Sequence, residues 1–143
     1  MRYLLDVNVL IALLDAGHTM HIRATQWLAR QSANGWASCP LTQNGVVRIM
    51  SQPSYPTPRP ASLVAARLAN ACTAPEHVFW PADVSLLCAK LIDWTNLLGH
   101  RQVTDAYLLA LAVRQQGQLA TFDQRIKTDL VLGARPEHLH VIA

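Results

Sequence analysis

The sequence predicts an α/β sandwich with a central parallel sheet of four to five strands, and two observations support this class. Short apolar runs with strand character alternate along the chain with longer segments whose apolar residues recur at helical spacing. The first apolar run, which ends at Leu5, is bounded by polar residues, as is typical of a buried strand in a parallel sheet. Helices should then cover both faces of the sheet and give three layers.

The pattern also predicts the order of the elements. Strands are expected at 3–5, 36–39, 78–80, 119–122 and 139–142. Helices are expected at 9–16, 18–32, 41–51, 61–71, 83–94 and 105–116, with Asp83 and Thr104 near the starts of the last two. Four prolines within 53–60 predict an extended surface loop. Gly45, inside the third helix, indicates close packing against a neighbour.

Length and composition indicate a single globular domain over residues 1–143. The chain is 51% hydrophobic and only 15% charged, which excludes a disordered protein. The formal net charge is +3, and all but Lys90 and Lys127 of the twelve basic residues are Arg. Because guanidinium groups suit bidentate contacts with phosphate, this balance is compatible with a nucleic-acid partner.

The cysteines indicate the compartment. Cys39, Cys72 and Cys88 are odd in number, widely spaced and surrounded by apolar residues, which favours free thiols in the cytoplasm over disulfides or a zinc site. No apolar run reaches the roughly 18 residues that a membrane span requires, so no membrane partner is expected.

Three carboxylates occupy equivalent places in the predicted fold. Asp6 follows the first strand, Asp105 lies in the first turn of a helix, and Asp123 follows the 119–122 strand. Asp6 could simply cap the helix after it. However, ligands of parallel sheets bind beyond the carboxyl ends of the strands, and carboxylates gathered there repel unless a cation neutralises them. Oxygen ligands without paired Cys or His suit Mg²⁺ or Mn²⁺, which can polarise a phosphodiester.

Four segments resemble a known family in order and spacing. They are LLDVNVL at 4–10, PLTQNGVVR at 40–48, HRQVTDAYL at 100–108 and ATFD at 120–123. Together they resemble the PIN-domain ribonucleases, specifically the VapC-type toxins of bacterial toxin–antitoxin pairs. The resemblance covers essentially the whole chain. It implies Mg²⁺-dependent RNA cleavage, with Mn²⁺ as a substitute, inhibition by a cognate antitoxin, a homodimer, and contact with operator DNA only through the antitoxin.

The resemblance also implies roles for individual residues. Asp6, Asp105 and Asp123 match the metal-binding catalytic acids. Polar residues that would orient these acids are Asn8, Thr104 and Thr121, although capping and turn formation could also explain the two threonines. His100 and Arg101 precede the Asp105 helix and could contact phosphate or serve only the loop.

Gln43 departs from the family pattern, because an acidic residue is expected among the catalytic residues at its place in the third helix. Three carboxylates against one divalent ion favour one bound metal, with a second bound weakly or together with substrate phosphate. The favoured function is a metal-dependent endoribonuclease. The alternative is a cleavage-impaired protein that mainly holds its antitoxin and helps to repress their operon. A structure-specific DNA nuclease is disfavoured, because the chain has no substrate-threading segments.

Overall fold

The computed structural model describes residues 1–143, and its centre is a five-stranded sheet in which all strands are parallel. The strands are β1 (Tyr3–Leu5), β2 (Trp36–Ser38), β3 (His77–Phe79), β4 (Gln118–Thr121) and β5 (Leu139–Val141). Their order across the sheet is β3-β2-β1-β4-β5. The register pairs Leu5 with Ala120, so β1 and β4 end side by side in the middle of the sheet. The predicted α/β class and parallel sheet are confirmed.

Helices pack on both faces of the sheet and complete the three layers. They are α1 (Val7–Leu14), α2 (His21–Ala29), α3 (Pro40–Ser51), α4 (Ala61–Ala71) and α5 (Val103–Arg114). Alternate residues of β1 enter different cores: Leu4 packs with α5, while Tyr3 and Leu5 pack with residues of α1, α3 and α4. This period of two is what a strand between two helical layers requires. None of the helices combines the length and the apolar character that a membrane-spanning helix needs.

Gly45 lets α1 and α3 approach closely. A Cβ atom at this position would lie 2.8 Å from Cγ2 of Val7, well inside van der Waals contact. The close packing predicted from the glycine is therefore confirmed, and it places the first turn of α1 directly against the middle of α3.

The prediction of a helix at 83–94 is wrong. The residues form turns and irregular chain, Lys90 has a positive φ of 63°, and Ile92 forms an isolated antiparallel bridge with Val131. Asp93 does not extend a helix, because its carboxylate accepts hydrogen bonds from the backbone and hydroxyl of Thr95. The apolar spacing is satisfied without a helix, since Val84, Leu86 and Leu91 pack against the α5 core from an irregular segment.

The proline-rich loop is held to the end of α1 by one carboxylate. Asp15 is only 4% exposed, and it accepts hydrogen bonds from the Tyr55 hydroxyl at 2.5 Å and the Gly17 backbone at 3.0 Å. The Arg59 guanidinium lies 3.5 Å from the same carboxylate. Tyr55 and Arg59 thereby anchor the loop to the C-terminal end of α1.

Candidate active site

The three predicted acids lie at the carboxyl edge of the sheet. Asp6 follows β1 directly, Asp123 comes two residues after the end of β4, and Asp105 lies in the first turn of α5. The Asp6 backbone N–H donates to the Ala120 carbonyl at 2.9 Å, so the β1–β4 pairing continues up to the first acid. Sheet register thus brings together positions that are far apart in sequence.

Asp6 is buried, with 8% of its surface exposed, and both of its carboxylate oxygens accept hydrogen bonds. Oδ1 accepts from the Val7 backbone at 2.8 Å, and Oδ2 accepts from the Thr121 hydroxyl at 2.7 Å. Asp6 is also the N-cap residue of α1. Helix capping and a place in the acidic site, which were alternatives from the sequence, therefore occur together.

Thr121 links the polar residues of the site. Its buried hydroxyl donates to Asp6, accepts from the Asp123 backbone N–H at 3.0 Å, and accepts from Asn8 Nδ2 at 3.5 Å. Asn8 Oδ1 is buried and has no hydrogen-bond partner, the sole such side-chain atom in the chain. An acceptor without a donor beside a carboxylate is an arrangement that a cation, or a water bound to one, would satisfy.

The pKa values of the three acids are shifted in different directions by burial, by the neighbouring carboxylates and by Arg125. Burial, followed by the Asp6 and Asp123 carboxylates, raises the pKa of Asp105 to about 6. Burial also raises the pKa of Asp6, and the Asp123 carboxylate adds to that rise. The pKa of Asp123 is lowered instead, mainly because it accepts hydrogen bonds from Arg125. The three carboxylates are thus close enough to interact, and Asp123 is the one that holds its charge most readily.

Arg125, which no motif had indicated, pairs with Asp123. Its Nε lies 3.0 Å from Oδ1, its Nη2 lies 3.1 Å from Oδ2, and its backbone N–H also donates to Oδ1 at 2.9 Å. The arginine side chain is 83% exposed. A solvent-exposed Arg two residues after an acid is common in sequences, so spacing alone gave no signal for this pair.

The acids do not form a ready metal site in this arrangement. No three carboxylate, imidazole or thiolate side chains are grouped so that they could hold an ion together. The donor chemistry nevertheless suits a hard divalent cation, because the acidic donors at this sheet edge are carboxylates, Asn8 Oδ1 has no partner, and neither pocket beside the acids is lined by Cys or His. Asp6, Asp105 and Asp123 are the residues that could hold it.

Two open pockets flank the acids. One, of about 300 Å³, contains Asp105, Asp123, Arg101, Gln102 and Arg125 among its lining residues. The other, of about 500 Å³, contains Asp6, Asn44, Arg48 and Thr104. Each pocket therefore combines an acid with at least one guanidinium group, as binding of a phosphate chain across a cation site requires.

The remaining predicted residues differ in whether they line a pocket with the acids. His100 and Arg101 are exposed in a 3₁₀ turn before α5, and of the two only Arg101 lines a pocket with the acids. Thr104 is not a helix cap, because α5 begins at Val103 and Gln102 is the residue before it. The helix begins two residues earlier than predicted, so Thr104 lies in its first turn, where it lines the Asp6 pocket.

Gln43 does not lie with the acids, which corrects its predicted place among the catalytic residues. Its Nε2 donates to the Ser38 hydroxyl at 3.0 Å, and its side chain lines a different pocket, between α3 and α4. Asn44, the next residue, lines both this pocket and the pocket that contains Asp6. Successive helical residues point about 100° apart, so a shift of one position is enough to exchange the two faces.

Comparison with known proteins agrees with this geometry. The family model described as the PIN domain matches residues 3–128. Ribonuclease VapC44 of Mycobacterium tuberculosis is 52% identical over 139 residues, which cover 97% of this chain and 98% of the relative. Ribonuclease VapC39 of the same organism is 44% identical over 124 residues, which cover 86% of this chain and 89% of the relative.

Solved structures show the same fold at low sequence identity. The crystal structure of M. tuberculosis VapC20, a toxin that cleaves the sarcin–ricin loop, superposes with a TM-score of 0.58 at 14% identity and covers 90% of this chain and 92% of its own. VapBC2 from Rickettsia felis, bound to a DNA fragment from its promoter, gives a TM-score of 0.57 at 13% identity and covers 87% and 90%. The chain therefore belongs to the PIN-domain family and, within it, to the VapC-type ribonucleases.

Proposed function

We propose that this ribonuclease is the Mg²⁺-dependent toxin of a toxin–antitoxin pair and cleaves RNA at the edge of the sheet formed by β1 and β4. The observation that carries the proposal is the junction at Thr121, whose hydroxyl binds Asp6 and the Asp123 backbone at once. Asp105 completes the acidic group, as its raised pKa indicates.

The residues of the site have separate tasks. Asp6, Asp105 and Asp123 would hold Mg²⁺, which when bound supplies neutralisation of charge and polarisation of a phosphodiester. Thr121 and the Val7 backbone fix the orientation of the Asp6 carboxylate. Arg101, in the pocket beside Asp105, would bind the RNA backbone.

The charge of the site favours a single resident ion. Three carboxylates oppose one divalent cation with a small negative excess, and α3 adds no further acid to the Asp6 pocket. A second ion would make the group positive unless RNA phosphate accompanied it. Mn²⁺ should replace Mg²⁺, because it accepts the same oxygen ligands.

We propose a cleaving enzyme in preference to a cleavage-impaired antitoxin-binding protein. The impaired alternative depended on Gln43 as a missing acid, whereas the Gln43 side chain contacts Ser38 and lines a pocket that contains none of the acids. Its neutral amide is therefore not the missing charge, although no α3 residue that lines the Asp6 pocket is acidic either. The preference for cleavage rests on the curated relatives of 52% and 44% identity, which are ribonucleases.

The decisive experiment is RNA cleavage by the Asp6→Asn variant. Wild type should cleave RNA with Mg²⁺ and lose cleavage with EDTA, and Asp6→Asn should reduce the rate by at least about 100-fold while thermal unfolding changes little. Asp129→Asn is the matched control, because Asp129 is exposed and lines neither pocket. Cleavage retained by Asp6→Asn, or undiminished by EDTA, would contradict the proposal.

The antitoxin would bind an apolar groove of about 510 Å³ that is lined mainly by α1 and α2. Leu10, Leu13, Leu14, Leu28 and Trp36 contribute to its lining. A groove of this composition suits the apolar face of a helix. Leu14→Glu should weaken binding of the cognate antitoxin at least about tenfold with cleavage unchanged, because it places a charge in an apolar contact. Leu132→Glu, at an exposed position outside the groove, should not.

Several further properties belong to the same proposal. Exposed apolar side chains such as Phe79, Trp94 and Leu98 favour a homodimer, which light scattering of the purified protein would test. Free Cys39, Cys72 and Cys88 are consistent with a cytoplasmic protein. Contact with operator DNA would occur only through the antitoxin.

A further inference from the structure

Arg125 supplies three hydrogen bonds to the Asp123 carboxylate. Its guanidinium contacts both carboxylate oxygens, at 3.0 and 3.1 Å, in the paired geometry in which an arginine binds a carboxylate most strongly. The backbone N–H of Arg125 adds a third contact at 2.9 Å. In this arrangement the guanidinium occupies one lone-pair direction of each Asp123 oxygen, so a cation approaching from that side must displace it.

The same oxygens are the ones a divalent ion would need. A guanidinium and a hard cation both seek carboxylate oxygens, so they cannot bind the same face of Asp123 at the same time. Arg125 can leave at little cost, because its side chain is 83% exposed and makes no other side-chain hydrogen bond. Solvent around the exposed guanidinium screens the pair and limits its strength, so a divalent ion can compete for the Asp123 oxygens.

Arg125 also lies where its positive charge could bind a phosphate after it has left Asp123. It lines the pocket of Arg101, Gln102 and Asp105, so its guanidinium would stay beside the acids after leaving Asp123. The turn after β4 keeps its position, since the Asp123 backbone is held by Thr121. A freed guanidinium at the pocket wall is suited to bidentate binding of a phosphate.

We propose that Arg125 exchanges partners: it is the counter-ion of Asp123 in the cation-free protein, and it binds RNA phosphate once a divalent cation has taken Asp123. The inference rests on the proposed cation site and adds a role for a residue outside it. Arg125 is thus both a competitor of the metal and a substrate-binding residue, and the cation and RNA should bind cooperatively.

The test measures Mn²⁺ binding by calorimetry without RNA. Arg125→Gln removes the competitor and should tighten Mn²⁺ binding about two- to fivefold, the range that one exposed ion pair supports. Arg101→Gln removes the same charge from the same pocket without touching Asp123, and should have a smaller effect. Arg135→Gln breaks a comparable exposed pair with Glu137 outside both pockets and should have none.

A second measurement follows RNA cleavage. With saturating Mg²⁺, Arg125→Gln should raise KM for RNA about two- to fivefold and leave kcat within about twofold, because Arg125 contacts the RNA backbone and not the metal. Equal Mn²⁺ affinity in wild type and Arg125→Gln, or equal gains in Arg125→Gln and Arg101→Gln, would overturn the partner exchange alone. Absence of Mn²⁺ binding by wild type would overturn the cation site and the exchange with it.

Discussion

The Thr121 hydroxyl donates a hydrogen bond of 2.7 Å to Asp6 Oδ2, although 115 positions separate the two residues in the chain. The bond is buried, and it joins the ends of two neighbouring parallel strands. It fixes one oxygen of Asp6, while the Val7 backbone fixes the other. The first acid of the site is therefore oriented by the sheet before any ligand arrives.

Loss of this bond should impair catalysis more than folding. Thr121→Val keeps the shape of the side chain but leaves Asp6 Oδ2 without its donor, so we expect kcat/KM to fall about 10- to 100-fold. The unsatisfied carboxylate should cost about 1–3 kcal/mol of stability. Thr121→Ser should restore most activity. Thr25→Val, which removes a helix-surface hydroxyl bonded to the His21 carbonyl, is the control and should cleave like wild type.

The neighbours Gln43 and Asn44 should respond differently to an added carboxylate. Asn44 shares a pocket with Asp6, so Asn44→Asp should increase affinity for Mn²⁺, measured by calorimetry, and allow a second ion to bind. Gln43→Glu should leave Mn²⁺ affinity within about twofold, because Gln43 contacts Ser38 in a different pocket. A larger gain from Gln43→Glu than from Asn44→Asp would contradict the placement of the two side chains.

Cation binding should depend on pH through Asp105. Its pKa is raised to about 6, so below that pH the carboxyl is protonated and Mn²⁺ affinity should drop. In the absence of cation, the free energy of unfolding should decrease as pH rises, whereas cation affinity should increase. The folded protein holds this proton more tightly than the unfolded chain between pH 3.8 and about 6, so stability falls as pH rises across that window. Thermal unfolding of Asp105→Asn should show a shallower slope there; an unchanged slope would refute the assignment.

Asp15 should contribute to stability and not to catalysis. The Tyr55 hydroxyl lowers the pKa of Asp15, so the contribution is present above pH 3.8 and is lost as pH falls through the lower folded pKa. Asp15→Asn should destabilise the protein by about 1–3 kcal/mol in denaturant unfolding at pH 7, with cation affinity unchanged. Glu137→Gln is the control: its exposed pair with Arg135 should be worth less than about 1 kcal/mol.

The sequence supported the fold and the position of the acids because both follow from local rules. Apolar runs of strand length located the five strands, and the rule that parallel strands end at one edge placed Asp6 and Asp123 near each other. Thr121 was assigned only through the family resemblance, and the structure places its hydroxyl between Asp6 and the Asp123 backbone.

The directions in which individual side chains point could not be derived from the sequence in the same way. Whether Gln43 or Asn44 faces Asp6 depends on the rotation of α3, which the apolar pattern determines only to within about one residue. The pairing of Arg125 with Asp123 depends on a turn whose shape no pattern records. The helix expected at 83–94 failed because its apolar residues pack from irregular chain, with Lys90 in a left-handed conformation.

The contact between Gly45 and Val7 has a consequence for the mouth of the active site. Asn44 and Arg48 of α3 line the Asp6 pocket together with Val7 of α1. Gly45 has only a hydrogen atom in place of a side chain, so α3 can approach Val7 closely. The width of the pocket beside Asp6 thus depends on the smallest residue of α3, because the Cβ of an alanine there would force Val7 or α3 to move.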